Sequence, residues 1–182
     1  MTYNLEWLIP KYENGEALEY VFFWGHRQSS DGALTPSCFS QWRDSSFTVD
    51  SVVYRTAEHW MMAQKALLFD DKKAFRKVVS ANTPAEVKAL GRKVRNFDEE
   101  IWTSKREEIV VQGNLHKFSQ NKSLLQFLLA TKNKILAEAS PLDRIWGIGL
   151  SANDEMAKNP KRWKGLNLLG FTLMEVRDLL SD

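Results

Sequence analysis

The sequence predicts an α+β fold in which helices predominate and a small β-sheet or hairpin completes the domain. Two observations favour this class: helical patterns recur from Thr56 onward, whereas the candidate strands are few and short. No linker, internal repeat or low-complexity segment divides the 182 residues. We therefore expect one compact domain covering residues 1–182, with its core between about residues 20 and 180.

Short apolar runs bounded by turn-forming residues mark the candidate strands. Leu18–Trp24 is apolar and aromatic, and the chain before it lacks a clear pattern, so we expect that part to be irregular. Phe47–Val49 and Val52–Tyr54 are separated by Asp50-Ser51, which predicts a hairpin that leads into a helix. Lys134–Ala139 ends at a Ser-Pro pair and is interpreted as a strand.

The clearest helix start is Thr83-Pro84-Ala85-Glu86, which combines an N-cap, a proline at the first helical position and a glutamate three residues after the cap. Gly91 predicts the end of this helix. Further helices are predicted at Asp98 to about Phe118, Ser123–Ala130 and Leu168–Leu180, the last capped by Asn167. The core side chains expected on the long helix are Ile101, Trp102, Ile109, Val110 and Leu115.

Composition restricts the function classes. The formal net charge of +2 is too small for a dedicated nucleic-acid surface, although it permits a polyanionic ligand. The single cysteine, Cys38, excludes an internal disulfide framework, and three scattered histidines show no metal-ligand spacing. We predict neither a metal nor a cofactor. Because no secretory segment or membrane-spanning apolar run is present, we expect a cytoplasmic protein without membrane contact.

The stretch RTAEHWMMAQKALLF, Arg55–Phe69, places a carboxylate and an ammonium seven residues apart in an amphipathic helix. Because seven residues nearly complete two turns and rise about 10.5 Å, both charges lie in one sector of the helix. That sector contains Tyr54, Glu58, Met61 and Lys65. It adjoins an apolar stripe of Ala57, Trp60, Leu67 and Leu68, whereas Arg55, His59 and Ala66 are expected to point elsewhere. The two charges should lie at the edge of the apolar face, where the wall of a cleft would be.

Two interpretations of this pair stay open on spacing alone. Thr56 is a plausible N-cap, and an acid in the first turn with a lysine farther along commonly stabilises a helix without any other role. The alternative is that Glu58 and Lys65 belong to an active site.

A second segment, Ser140–Gly170, has unusual content. Asp143 and Trp146 precede Gly147-Ile148-Gly149, and glycines at such spacing can present backbone amides to a phosphate. The pattern is weak by itself, since Asp143 can stabilise a turn and Trp146 can be a core residue. Loops that combine these residue types are nevertheless more often functional than helical surfaces are.

Five separate blocks resemble the NADAR family, also called YbiA-like N-glycosidases, and they occur in the order typical of that family. They cover about residues 20–180 of the chain. The blocks are FSQW (Phe39–Trp42), YRTAEHWMMAQKA (Tyr54–Ala66), LGRKVR (Leu90–Arg95), LLATKNKILAEASPLDRIWGIGL (Leu128–Leu150) and WKGLNLLGFTLMEVR (Trp163–Arg177).

The resemblance implies a single, mainly helical YbiA-like domain and an enzyme that cleaves N-glycosidic bonds between ribose and a base or amine. Family members remove ADP-ribose from guanine in nucleic acid, in some cases as the antitoxin to an ADP-ribosylating toxin. Others hydrolyse phosphorylated intermediates of riboflavin synthesis. The implied partners are therefore ADP-ribosylated nucleic acid or a phosphorylated nucleotide-like molecule, together with a cognate toxin system.

Matched residue by residue, the family's catalytic groups fall on Glu58, Lys65 and Asp143. The residues expected to bind substrate are Phe23, Ser40, Trp42, Tyr54, Gln64, Trp146, Gly147, Gly149 and Asn167. The chain departs from the family at two places: the common Ser-Asn pair is Ser40-Gln41, and Ile148 stands where some relatives have an acid between the glycines.

The chemistry of a ribosyl C–N bond explains these residue types. Its cleavage builds positive charge on the anomeric carbon and negative charge on the leaving base, so a carboxylate and a proton donor both assist. Glu58 and Asp143 can divide these roles. The resemblance also favours an unprotonated Lys65 that attacks the opened ribose and forms a Schiff base.

Three competing functions fit the sequence less well. A non-catalytic ADP-ribose-binding module would not need Glu58 and Lys65 together. A cysteine hydrolase built on Cys38 lacks a histidine in a persuasive motif. A helical DNA-binding domain would need a basic recognition helix, but the charges of DDKKAFRKVV, Asp70–Val79, alternate in sign and are typical of a solvated face.

Overall fold

The computed structural model describes residues 2–181, which form two compact units. Residues 2–40 and 123–181 form the first unit, and Gln41–Lys122 forms the second. Seven α-helices and four short strands lie within the described residues, which confirms an α+β class with predominant helices.

The first unit contains a two-stranded parallel sheet. Strand β1 (Tyr20–Phe23) pairs with strand β4 (Ile135–Glu138), with Tyr20 opposite Ile135 and Phe23 opposite Glu138. The helices of this unit are α1 (Leu5–Glu13), α6 (Lys122–Leu129, whose first residue belongs to the second unit) and α7 (Leu168–Leu179). The pairing extends by one bond, since the Ala139 amide donates to the Phe23 carbonyl at 2.8 Å.

Helix α7 packs directly on strand β4. Gly170 permits the close approach, because a Cβ at that position would collide with the carbonyl oxygen of Leu136. Asn167 joins the two elements through its side chain: Nδ2 donates to the Leu136 carbonyl at 3.0 Å, and Oδ1 accepts from the Glu138 amide at 3.0 Å. With φ of 54°, Asn167 adopts the left-handed conformation that asparagine tolerates well.

The second unit is a helical assembly with one hairpin. Strands β2 (Phe47–Val49) and β3 (Val52–Tyr54) are antiparallel. Helix α2 (Ala57–Leu68) packs against β3 and against the other three helices of the unit. These helices are α3 (Lys72–Ser80), α4 (Pro84–Gly91) and α5 (Glu99–Ser119).

An aromatic cluster fixes the hairpin to helices α2 and α5. Tyr54 stacks on Phe47 with ring centroids 5.7 Å apart, and Trp60 meets the Tyr54 ring edge-on at 5.1 Å. The Trp60 indole N–H donates to the Ile109 carbonyl at 2.8 Å. Gly113 makes room for this indole, since a Cβ there would meet the Trp60 ring.

The predicted caps of α2 and α4 are confirmed, and Asp98, which was predicted only as the start of a helix, caps α5 in the same way. Thr56, Thr83 and Asp98 each accept a hydrogen bond from a backbone amide in the first turn of α2, α4 and α5. The hairpin, strand β1 within Leu18–Trp24 and strand β4 within Lys134–Ala139 are also confirmed.

Three predictions are wrong. The chain before β1 is not irregular, since Asn4 caps helix α1 and Leu8 is fully buried. Ile101 is 47% exposed, because it lies on the outer side of α5. Asn167 does occupy the N-cap position of α7, but its side chain bonds strand β4 and makes no capping hydrogen bond.

The predicted faces of α2 also need correction. His59 and Ala66 were expected to point away from the packed side of the helix, yet both are buried, whereas Leu67 is exposed. The physical reason is that three helices and a strand surround α2, so most of its circumference is covered.

His59 is held as a neutral side chain inside the second unit. Its Nε2 donates to the Ala81 carbonyl at 3.2 Å, which leaves Nδ1 to accept from the Thr56 hydroxyl at 2.8 Å. Burial is the main cause that lowers the pKa of His59. The imidazole therefore resists protonation in the folded protein.

We predict that Asn167→Ala destabilises the first unit by about 2–4 kcal/mol, because two buried backbone groups of β4 lose their partners. Urea unfolding monitored by circular dichroism measures this loss. Asn133→Ala, an exposed asparagine just before β4, serves as the control and should change stability little. Equal stability of both variants would contradict the bridging role of Asn167.

We predict that His59 makes the protein less stable as the pH falls. Its pKa is lowered in the folded state, so below about pH 6.5 the unfolded chain binds a proton first and stability declines toward the lowered folded pKa. The stability advantage of the wild type over His59→Gln should shrink between about pH 7.5 and pH 5. An advantage that stays constant over this range in urea titrations would refute a neutral buried His59.

Candidate functional site

Glu58 is a buried carboxylate in the first turn of α2, with 3% of its surface exposed. Its backbone amide donates to the Gln41 carbonyl at 3.0 Å. The amino-terminal end of a helix carries partial positive charge, which favours an ionised acid at this position. The carboxylate is thus held in a largely water-excluded place where an electrostatic interaction is stronger than in water.

Gln41 and Asn114 form a buried polar cluster in the same unit. Asn114 Nδ2 donates to Gln41 Oε1 at 3.2 Å and to the Val110 carbonyl at 2.9 Å. Within residues 2–181, the buried Oδ1 of Asn114 accepts no hydrogen bond. Lys117 lies almost one turn farther along α5 and is fully buried. Because Gln41 also accepts from the Glu58 amide, the cluster is attached to the start of α2.

Sequence reasoning missed Asn114 and Lys117 as candidate site residues. A signal was available, since Val110, Asn114, Lys117 and Phe118 follow the i, i+4, i+7, i+8 spacing of a buried helical stripe. Two polar residues on such a stripe are unusual unless they are paired or functional.

Lys65, in the last turn of α2, projects onto aromatic rings. Its Nζ lies 4.0 Å from the Phe97 ring centroid and 5.3 Å from that of Trp102. Burial lowers the pKa of Lys65, and the Glu99 carboxylate partly offsets this effect. The aromatic faces stabilise the ammonium form, while burial favours the neutral amine.

Tyr54 ends strand β3 just before α2, and the side chain of Gln64 on α2 is hydrogen-bonded to it. Burial of Tyr54 is the largest cause that raises the pKa of its hydroxyl group. The nearby Asp50 raises this pKa further, whereas the hydrogen bond with Gln64 lowers it. Trp42 is half-buried, and the ammonium of Lys88 lies 5.8 Å from its ring centroid. These contacts orient three of the residues that were expected to bind substrate.

In the first unit, the turn after β4 is organised by Asp143. Its Oδ1 accepts from the backbone amides of Ile145 at 2.9 Å and Trp146 at 2.8 Å, while its own amide donates to Ser140 Oγ at 3.3 Å. One carboxylate oxygen therefore stabilises the turn, as one interpretation of the sequence expected. Trp146 is half-buried within this turn.

The two glycines that follow are required by backbone packing. A Cβ on Gly147 would lie 2.8 Å from the Glu138 carbonyl oxygen, and a Cβ on Gly149 would lie 2.9 Å from the Cβ of Lys164. Gly149 also has φ of 69°. Close approach of the protein's own backbone explains both residues, and phosphate binding by their amides stays a prediction.

The remaining candidates of the first unit are internal. Phe23 is buried and meets Phe39 edge-on at 5.6 Å. Ser40 ends a buried turn, and Asn167 uses its whole side-chain amide on strand β4. The alternative nucleophile Cys38 is also fully buried.

The structure thus assigns the predicted residues to two groups, one in each unit. The group of the second unit contains Trp42, Tyr54, Glu58, Gln64 and Lys65. The group of the first unit contains Phe23, Ser40, Asp143, Trp146, Gly147, Gly149 and Asn167. Across residues 2–181, no three His, Cys, Asp or Glu side chains are grouped as a metal site would need, and no helix is long and apolar enough to span a bilayer.

Three comparisons relate the chain to known proteins. The NADAR domain family model matches residues 22–181, which include the whole second unit and most of the first. The chain is 43% identical over 168 residues to N-glycosidase R617 of Acanthamoeba polyphaga mimivirus, covering 90% of this chain and 97% of that protein. It is 30% identical over 143 residues to N-glycosidase YbiA of Escherichia coli strain K12, covering 79% and 81%. The NMR structure of E. coli YbiA matches with a TM-score of 0.71 and 28% identity, covering 90% of this chain and 85% of that one.

We predict that Glu99→Gln lowers the pKa of Lys65 further, because it removes the nearby negative charge that favours the ammonium. NMR titration of ¹³C-dimethylated lysines measures the change. Glu100→Gln, which neutralises the adjacent exposed acid of α5, is the matched control and should have a smaller effect. A Lys65 signal that titrates near the ordinary lysine value of about 10.4 in the unsubstituted protein would disprove the effect of burial.

Proposed function

Because this chain belongs to the NADAR domain family, we propose that it is an N-glycosidase that removes ADP-ribose from guanine in nucleic acid. Its relatives in mimivirus and E. coli are named N-glycosidases, which supports hydrolysis of an N-glycosyl bond. The observation that carries the catalytic part is a buried carboxylate, Glu58, on the same helix as the half-buried amine of Lys65.

Glu58 acts on the sugar in this proposal. As the C–N bond breaks, positive charge develops on the anomeric carbon, and a buried carboxylate stabilises that charge more than a solvated one does. The polar cluster of Gln41 and Asn114 supplies an unfilled acceptor, Asn114 Oδ1, that suits a hydroxyl group of a ribose.

Lys65 acts as a nucleophile. Its neutral Nζ forms a bond to the anomeric carbon of the opened ribose, and the guanine amine leaves with a proton. The resulting imine joins Lys65 to ADP-ribose until water adds to the carbon, releases ADP-ribose as the aldehyde and restores the free amine. The lowered pKa of Lys65 supports this role, since only the unprotonated amine can attack.

The first unit carries the other residues of the proposal, including a second carboxylate. We assign Trp146 to contact with the base and Gly147 and Gly149 to the phosphates. Asp143 retains one carboxylate oxygen beyond the one that holds the turn, and it serves as the proton donor to the leaving base. Asn167 positions this region through its bonds to β4. An ADP-ribosylating enzyme that modifies guanine would supply the substrate, as in a toxin and antitoxin pair.

The test uses an oligonucleotide with one ADP-ribosylated guanine, followed by mass spectrometry of both nucleic acid and protein. We predict that the wild type releases unmodified oligonucleotide and that Glu58→Gln slows release by about 10²–10⁴-fold, the usual range for a lost acid or base. Glu100→Gln is the matched control, because it neutralises an exposed acid of α5, and should retain activity. With borohydride present, the reduced adduct should map to Lys65 and disappear in Lys65→Arg.

Each other outcome identifies the part of the proposal that fails. Release without an adduct would keep the glycosidase and leave catalysis to Glu58 and Asp143. Cleavage of a phosphorylated riboflavin intermediate alone would keep the reaction class and exclude nucleic acid as substrate. ADP-ribose that binds tightly without release from any substrate would make the protein a binding module.

A further inference from the structure

Apolar side chains are exposed to solvent at one end of the sheet in the first unit. Because β1 and β4 are parallel, their carboxyl ends lie at the same end of the sheet, and Trp24 and the turn after β4 follow those ends. Leu142 in that turn is 89% exposed and Trp24 is 59% exposed, the two highest values among the exposed large hydrophobic side chains. The turn surface, as we name it, consists of Trp24, Leu142, Arg144, Ile145, Lys164 and Leu166.

The exposure of Leu142 does not come from a loosely held backbone. Asp143 and the chain just before α7 both hold the backbone of this turn through hydrogen bonds. The Leu166 amide donates to the Arg144 carbonyl at 3.0 Å, and the Leu168 amide donates to the Ile145 carbonyl at 3.2 Å. A rigid backbone that presents apolar side chains loses little conformational entropy when a ligand binds.

Cations lie between these apolar side chains. Arg144 is exposed, and a Cβ on Gly165 would lie 2.8 Å from the Arg144 Cα, which places Lys164 and Leu166 beside Arg144. Neither Arg144 nor Lys164 forms an ion pair with any residue from 2 to 181. Both charges are therefore available to a ligand.

We propose that the turn surface binds a nucleic-acid strand, with Arg144 and Lys164 on phosphates and Trp24 and Leu142 against the faces of bases. Exposed apolar groups alternating with cations match a polymer that alternates bases with phosphates. A lipid surface would require a broader apolar face than three side chains and one indole. This inference rests on the proposed function, because it states how a modified guanine within a strand is held.

Leu142 has a further role in this arrangement. A guanine in a strand is stacked on its neighbours, and an enzyme that acts on it must draw it out of the stack. Apolar side chains such as leucine occupy the space between bases when a stack is opened. Leu142, which is 89% exposed on a fixed turn, is suited to fill that space while Arg144 and Lys164 bind the phosphates of the strand.

We predict that Leu142→Ser and Trp24→Ser each weaken binding of an unmodified oligonucleotide about tenfold, in the range measured for loss of one base contact. Fluorescence anisotropy of a labelled oligonucleotide gives this affinity without requiring turnover. The double variant Arg144→Ser with Lys164→Ser should weaken binding and lower the salt slope by about two. Leu179→Ser and Lys73→Ser, exposed positions outside the turn surface, are the matched controls and should bind as the wild type does.

Activity provides a second readout that separates the two proposals. Leu142→Ser should release ADP-ribose from a modified oligonucleotide about tenfold more slowly but cleave ADP-ribosylated guanosine, a single nucleoside, at the normal rate.

Loss of binding in the variants without release by the wild type from either substrate would support the turn surface and refute the glycosidase. Release from the oligonucleotide with equal rates and affinities in all variants would overturn the turn surface and keep the glycosidase. Binding to anionic lipid vesicles that depends on Leu142, with no oligonucleotide binding, would also overturn it.

Discussion

Burial of α2 on most of its sides is the constraint on which the second unit depends. The helix packs against α3, α4, α5 and β3, and Gly113 permits the close contact with α5 by leaving space for the Trp60 indole. A helix held from several directions has a fixed axial position and rotation. Glu58 near one end and Lys65 near the other therefore have set locations, and the packing of the apolar residues between them maintains the separation.

The same packing imposes a cost, because polar groups are enclosed with the apolar ones. Glu58, Asn114 and Lys117 are nearly or fully buried, and burying charged or amide groups is unfavourable unless each finds a partner. An apolar core of the same shape would be easier to stabilise. Asn114 Oδ1 still lacks a hydrogen bond within residues 2–181, which makes it an exception to the usual pairing of buried polar groups.

Local signals in the sequence predicted the elements well, while tertiary contacts were beyond their reach. Thr56 and Thr83 were recognised as caps because capping depends on residues three positions apart. Asn167 was recognised as an N-cap, but its actual bonds reach β4, about 30 residues earlier in the chain, and no local pattern carries that information. The buried positions of His59 and Ala66 likewise follow from neighbours that only the fold supplies.

For the candidate site, the resemblance indicated Glu58 and Lys65, whereas the aromatic partners of Lys65 and the polar stripe of α5 required the structure.

The parallel pairing of β1 and β4 has a consequence for how the chain reaches its native state. Tyr20 and its partner Ile135 are separated by the whole of Gln41–Lys122, so the sheet closes a very long loop. The second unit, by contrast, is built from one contiguous segment whose contacts are shorter in sequence. During synthesis, Gln41–Lys122 can fold as soon as it leaves the ribosome, whereas β1 stays unpaired until β4 has been synthesised. The apolar strand β1, Tyr20–Phe23, therefore has unpaired backbone groups and exposed side chains during that interval.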